Sequence, residues 1–123
     1  MTELFHLADR RQWEAARTAG RYEISTRGKT LAEVGFIHCS QRHQVRPVAD
    51  VVFADAEDLV LLTIDGDRVP APIRYEGPDF PHIYGPLPVN AVLDVRPVTR
   101  DATGRLRLPT DEPGPRPAPR PAP

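Results

Sequence analysis

Hydrophobic positions follow two spacings along the chain. "ELFHLA" (residues 3–8) is a short, mostly apolar run, whereas "DRRQWEAARTAG" (9–20) separates Trp13 and Ala16 by three among charged neighbours. The first pattern predicts a strand and the second a helix with one buried stripe. Asp9 can cap that helix, with Gln12 three residues on, and Gly20 supplies its stop.

"YEIST" (22–26) reads as a short strand, followed by a loop through Gly28 and a further strand at "GFIHCS" (35–40). "QRHQVRPVADVVFADAED" (41–58) reads as helix in two pieces, because proline is tolerated in a first turn but not in a helix interior. Val48, Val51 and Val52 are the expected buried stripe of the second piece. "LVLLTID" (59–65), the most apolar run, is the expected central strand. "VPAPIRYE" (69–76) is a strand whose prolines, Pro70 and Pro72, confine its first half to an edge. "FPHIYGPLP" (80–88) carries too many prolines to be regular and reads as a rigid loop. "NAVLDVRPVT" (90–99) is a strand onto which "GRLRLP" (104–109) folds back through "DATG" (101–104). Two early helices followed mainly by strands predict an α+β domain over residues 1–108.

Beyond it, "PTDEPGPRPAPRPAP" (109–123) has little able to enter a core and predicts a disordered or polyproline tail. The 123 residues suffice for one domain. Sixteen basic and 17 acidic residues nearly cancel, so bulk charge disfavours nucleic acid as a partner without excluding RNA. One cysteine, Cys39, excludes an internal disulfide and any cysteine-rich zinc site. With no membrane-length apolar run, the expectation is a soluble cytoplasmic protein without membrane partners. Oligomeric state leaves no mark on the pattern.

Candidate chemistry centres on "GFIHCS". On an extended strand Phe36, His38 and Ser40 share one face, and Ile37 and Cys39 the other. His38 beside Ser40 either satisfies polar groups at a core edge or presents a titratable imidazole and a hydroxyl to a ligand. Cys39 points away from His38, which disfavours a cysteine nucleophile. His6 lies in the first strand with Phe5 and Leu7 facing away, and His43 sits in a polar run expected to be solvated. Glu76 ends "IRYE" ahead of glycine and proline, at the expected rim of a sheet. His82 and Tyr84 lie in the proline-braced segment, where a prepaid backbone lowers the ordering cost of binding. No phosphate loop, nucleophile elbow or zinc-helix motif is present, and no metal is expected.

Taken in order, the strand histidine, the Trp13 helix, "GFIHCS", Gln44, "DLVLLTID", Glu76, "FPHIYGPL" and "AVLDVRP" strongly resemble the small bacterial family called domain of unknown function 952. The resemblance covers about residues 4–98. It implies a fold similar to the ADP-ribosyltransferases, in which two small, mostly antiparallel sheets with two or three flanking helices form a cleft for NAD. That superfamily also houses RNA 2'-phosphotransferases. Carried across, His6, His38, Ser40 and Tyr84 are the implied cofactor-binding residues, and Glu76, His38 and His82 the implied catalytic ones. Glu76 would take the late acidic position that holds a ribose hydroxyl. Histidine stands where many such transferases carry the first-strand arginine, and Arg74 where they carry an acid or glutamine.

The leading expectation is therefore an enzyme that uses NAD or another nucleotide for transfer. A noncatalytic module binding a nucleotide or other small ligand is one alternative. The other is a small-metabolite enzyme with His38 and His82 as a proton-transfer pair.

Overall fold

The computed structural model describes residues 2–111. Strand β1 (Glu3–Asp9) leads into helix α1 (Arg10–Ala19), then β2 (Arg21–Tyr22), β3 (Ile24–Thr26), β4 (Lys29–Thr30) and a single-turn helix α2 (Leu31–Val34). Next come β5 (Ile37–His38), a 3-10 turn at Arg42–Gln44, α3 (Val45–Val52) and β6 (Leu59–Asp65). The remainder is β7 (Ile73–Glu76), β8 (Phe80–Ile83), β9 (Leu87–Pro88), β10 (Val92–Pro97), β11 (Thr99–Arg100) and β12 (Leu106–Arg107). It is a mixed α+β domain with several antiparallel sheets and few helices.

Two three-stranded sheets organise it. In the first, β6 lies between β1 and β10; in the second, β8 lies between β5 and β7. Val60, Leu62 and Ile64 face one hydrophobic cluster with Trp13 and Ala16, while Leu59 and Leu61 face another with Val45, Ala49 and Phe53. Burial on both faces explains why β6 lacks alternation although its sheet is antiparallel. The α1 caps are as expected: the Asp9 carboxylate accepts from the Arg11 and Gln12 N–H groups, and Gly20 ends the helix at φ 92°.

The two sheets touch at one rung. Phe5 and Ser40 exchange both backbone hydrogen bonds, each 2.8 Å, in an isolated bridge. The next rung of a continuing ladder would pair Leu7 with His38, but the strands part there. The His38 carbonyl accepts instead from Nδ1–H of His6, 2.7 Å away. A side chain thus closes the seam where the backbone ladder opens.

Several elements differ from the sequence pattern. "YEIST" is divided: Tyr22 pairs with Leu87, whereas Ile24 and Thr26 form a hairpin with β4. The α2 turn is held by a capping box between Thr30 and Glu33, which is legible in "TLAE". Helix α3 stops at Val52, and its buried stripe is Val45 and Ala49, continued by Phe53. Val48 packs against the same cluster, but Val51 is 82% exposed and Val52 is also exposed, which corrects the expected valine stripe at two of its three positions. The helix starts at Val45, after the 3-10 turn, so Pro47 falls in its first turn as proline requires.

The largest correction is "FPHIYGPLP". Phe80–Ile83 is the central strand of the second sheet, not a loop. Pro81 is accommodated because it stands where the pairing with β5 ends. The Cys39 N–H donates to the Pro81 carbonyl at 2.9 Å, but the proline has no N–H to return, and the named ladder stops at His38↔His82. The hairpin of β11 and β12 forms as expected, pairing Thr99 with Arg107. The chain continues past 108 in a 3-10 turn, Pro109–Asp111, with Asp111 ion-paired to Arg46. The rest of the proline-rich segment, 112–123, lies outside the described residues.

Gly85, directly after Tyr84, has a packing reason to lack a side chain. A Cβ there would sit 2.7 Å from Cβ of Ala71, closer than carbon atoms pack. Gly85→Ala should cost about 1–3 kcal/mol in urea unfolding, and adding Ala71→Gly should recover most of it. Equal stability of Gly85→Ala and the parent would show that the two segments do not press together.

Candidate functional site

The alternation that puts Phe36 and His38 on one side of β5 extends across the second sheet. His38 pairs with His82, and His82 pairs with Arg74 on the other side. One face therefore carries Phe36, His38, Phe80, His82, Arg74 and Glu76, and Tyr84 follows two residues after His82. The opposite face turns Ile37, Cys39, Pro81 and Ile83 into the core. Burial raises the Cys39 thiol pKa and keeps the thiol protonated.

Glu76 is the hub of the exposed face. Its Oε1 accepts a hydrogen bond from His82 Nδ1–H at 2.8 Å and another, short one from the Tyr84 hydroxyl. These two bonds, the Tyr84 hydroxyl first, hold the Glu76 carboxyl below its ordinary pKa, so it is ionised at neutral pH. The same carboxylate raises the Tyr84 phenol and keeps it protonated. Arg74 lies over the Tyr84 ring, with Cζ 5.3 Å from the centroid.

A carboxylate on Nδ1–H selects the imidazole tautomer whose Nε2 carries a lone pair. Nε2 of His82 is buried and has no hydrogen-bond partner among the described residues. Phe36 stacks on the His82 ring at 4.0 Å and 13°, fixing its plane, and the His38 ring lies 5.3 Å away. His38 is half-buried; burial first, and then His82, lower its pKa, so it favours the neutral form. The face thus holds an oriented ring nitrogen without a partner, beside a second imidazole that favours its neutral form.

The fold brings His38, Glu76, His82 and Tyr84 together on this face. His6 and Ser40 are not on this face. His6 is buried with both ring nitrogens engaged: Nδ1–H donates to His38, and Nε2 accepts from the Tyr22 hydroxyl at 2.9 Å. Desolvation lowers its pKa to about 4, so it is neutral at physiological pH. Ser40 is buried at the backbone bridge, and the void that both line has a volume of about 10 Å³, about the room of one water. His43 is exposed, as expected.

Residues missed from the sequence have readable causes. Reading 80–88 as a loop hides Phe80, although the i, i+2 spacing of Phe80, His82 and Tyr84 repeats that of Phe36, His38 and Ser40; Arg74 joins the face through its pairing with His82. Gln44 is buried and donates to the Pro78 carbonyl at 2.9 Å, and Gln41 donates to that of Asp79 at 2.8 Å. Both clamp the turn that presents Glu76, with Asp79 held at φ 63°. A cavity of about 410 Å³ lies elsewhere, between the start of α1, β3 and the segment after α3. It touches none of the sequence-predicted residues.

A family model described as "Protein of unknown function (DUF952)" matches residues 7–95. The chain belongs to that family. Similar solved structures are those of protein CC0527 from Caulobacter crescentus. The crystal structures of its double mutant and of the protein itself superpose with TM-scores of 0.75 and 0.73, at 31% identity over 86% of this chain and 94% of that one. The solution NMR structure has a TM-score of 0.71 at 32% identity, over 85% and 91%. No curated protein matches the sequence. The DUF952 match spans every residue of the Glu76 hub. Among the described residues no group of three or more potential ligands is placed to hold a metal, and no helix is long and apolar enough to cross a membrane.

Proposed function

We propose that this DUF952 protein is an enzyme whose outer second-sheet face performs acid–base chemistry on a nucleotide-like ligand, with NAD the first candidate. The observation that carries the reading is the Glu76–His82 pair, in which an ionised carboxylate holds Nδ1–H and leaves Nε2 unpaired. Such a nitrogen accepts a proton from a nucleophile and can return it to a leaving group. Glu76 is then a positioning residue for His82, not the direct ribose contact that the resemblance implies. His38 and Tyr84 flank the reacting groups, and the Phe36 and Tyr84 rings offer flat surfaces to a base.

NAD enters through the resemblance to the ADP-ribosyltransferases. Two antiparallel sheets meeting at a single Phe5–Ser40 rung are compatible with the split-sheet cleft which that resemblance implies. In a transferase of that kind, nicotinamide leaves the ribose as a nucleophile arrives, and His82 would take the nucleophile's proton. The same pair favours a second reading, acid–base chemistry on an unrelated metabolite with His38 as His82's partner.

Calorimetric titration with NAD, ADP-ribose and nicotinamide separates these readings. Saturable binding of at least one, weakened about tenfold or more in His38→Ala, is the expected result. A folded protein that binds none of the three would remove the nucleotide and leave the second reading.

A further inference from the structure

A second cavity, about 270 Å³, lies on the other side of Phe36 and His38, between the β3–β4 hairpin and α3. Its apolar wall is Val34, Phe36, Val48 and Val52; its polar groups are Ser25, Thr26, Lys29 and the edge of His38. Two of these groups decide what the cleft can hold. The Ser25 hydroxyl is fully buried and has no hydrogen-bond partner among the described residues. An unsatisfied buried hydroxyl is costly, so a native one calls for an explanation.

Lys29 is the other. It is the only lysine in a chain that otherwise carries arginine. It makes no salt bridge among the described residues. Glu33, the carboxylate closest to it in sequence on this hairpin and α2, accepts from the Thr30 N–H and hydroxyl in the capping box. Among the described residues the Lys29 ammonium makes no direct ion pair, although it acts on Glu33 through space, and it stands at the rim of an apolar cleft.

We propose that this cleft binds a small carboxylate carried on a single planar ring. The ring lies against Phe36, Val48 and Val52, and the carboxylate meets the Lys29 ammonium and the Ser25 hydroxyl, which can step between staggered rotamers to reach it. The volume is slightly below the usual range of ligand pockets, about 300–1,000 Å³, which suits one ring and not a dinucleotide. The wall supplies a single cation, Lys29, with the Ser25 and Thr26 hydroxyls beside it, which matches a singly charged carboxylate rather than a doubly charged phosphate. The site shares His38 with the proposed reaction face but does not depend on Glu76 or His82.

Because Lys29 is the only ε-amine, its acetylation reports occupancy directly by mass spectrometry. Benzoate at millimolar concentration should slow acetylation of Lys29, and benzamide and inorganic phosphate should not. Calorimetry should show benzoate binding weakened about tenfold or more in Lys29→Met, with Glu76→Gln unchanged. Lys29 is exposed, so its replacement leaves the core intact. Unaltered acetylation in the presence of benzoate, or benzoate binding by Lys29→Met equal to that of the parent, overturns the proposal. Protection by phosphate alone overturns it too.

Discussion

Acidification from pH 6.5 to 4 is expected to remove about 3 kcal/mol of folding stability through His6 alone. The unfolded imidazole protonates near 6.5, whereas in the fold burial holds it at about 4. Between these values the unfolded chain binds the extra proton, so this contribution is complete above pH 6.5 and is lost as pH falls toward 4. The structural reason is the seam: His6 must donate from Nδ1 to the His38 carbonyl and accept at Nε2 from Tyr22. A protonated ring has no acceptor for the Tyr22 hydroxyl. For a domain of this size, the melting temperature should fall by roughly 10–20 °C over the interval from this source. His6→Gln supplies one donor and one acceptor without titrating and should flatten the profile. An equally steep profile in His6→Gln would place the acid sensitivity elsewhere. The half-buried His38 shifts in the same direction and adds to the slope in both proteins.

The second large effect concerns catalysis. If NAD is the substrate, His82→Asn should slow nicotinamide release by about 10²–10⁴-fold, the usual contribution of a positioned general base. NAD binding should change much less, because the imidazole acts on the proton of the nucleophile. Glu76→Gln should also be slow, for a different reason. A glutamine can turn its amide N–H toward Nδ1 and so favour the Nε2–H tautomer, the fault that makes the corresponding exchange costly in hydrolase triads. A His82→Asn protein that bound NAD normally and turned it over at the parental rate would remove His82 from the chemistry.

How much of this was legible in sequence varies by element, for physical reasons. Helix α1 carries its own signals, with Asp9, the Trp13 and Ala16 stripe and Gly20 each acting within a few residues. The face of His38 follows from strand alternation alone; Glu76 is marked by its place at a strand end and His82 and Tyr84 by the flanking prolines, while the resemblance implies their roles. Strand β8 was misread because proline is normally excluded from a central strand. Whether Pro81 is tolerated depends on β5 ending opposite it, a fact of pairing absent from the local pattern. Val51 and Val52 were placed in the core on hydrophobicity, although the helix phase is set by Val45 and Ala49 against the first sheet. The role of His6 was hidden for a similar reason: that its partner is a backbone carbonyl 32 residues away emerges only from the fold.

The claim on which the functional reading rests is the state of the His82 ring. Long-range ¹H–¹⁵N correlation of the imidazoles at neutral pH measures it directly. The account predicts a protonated Nδ1 and an unprotonated Nε2 on His82, with that pattern lost in Glu76→Gln. A proton on Nε2 in the parent protein, or a pattern indifferent to Glu76, would contradict it.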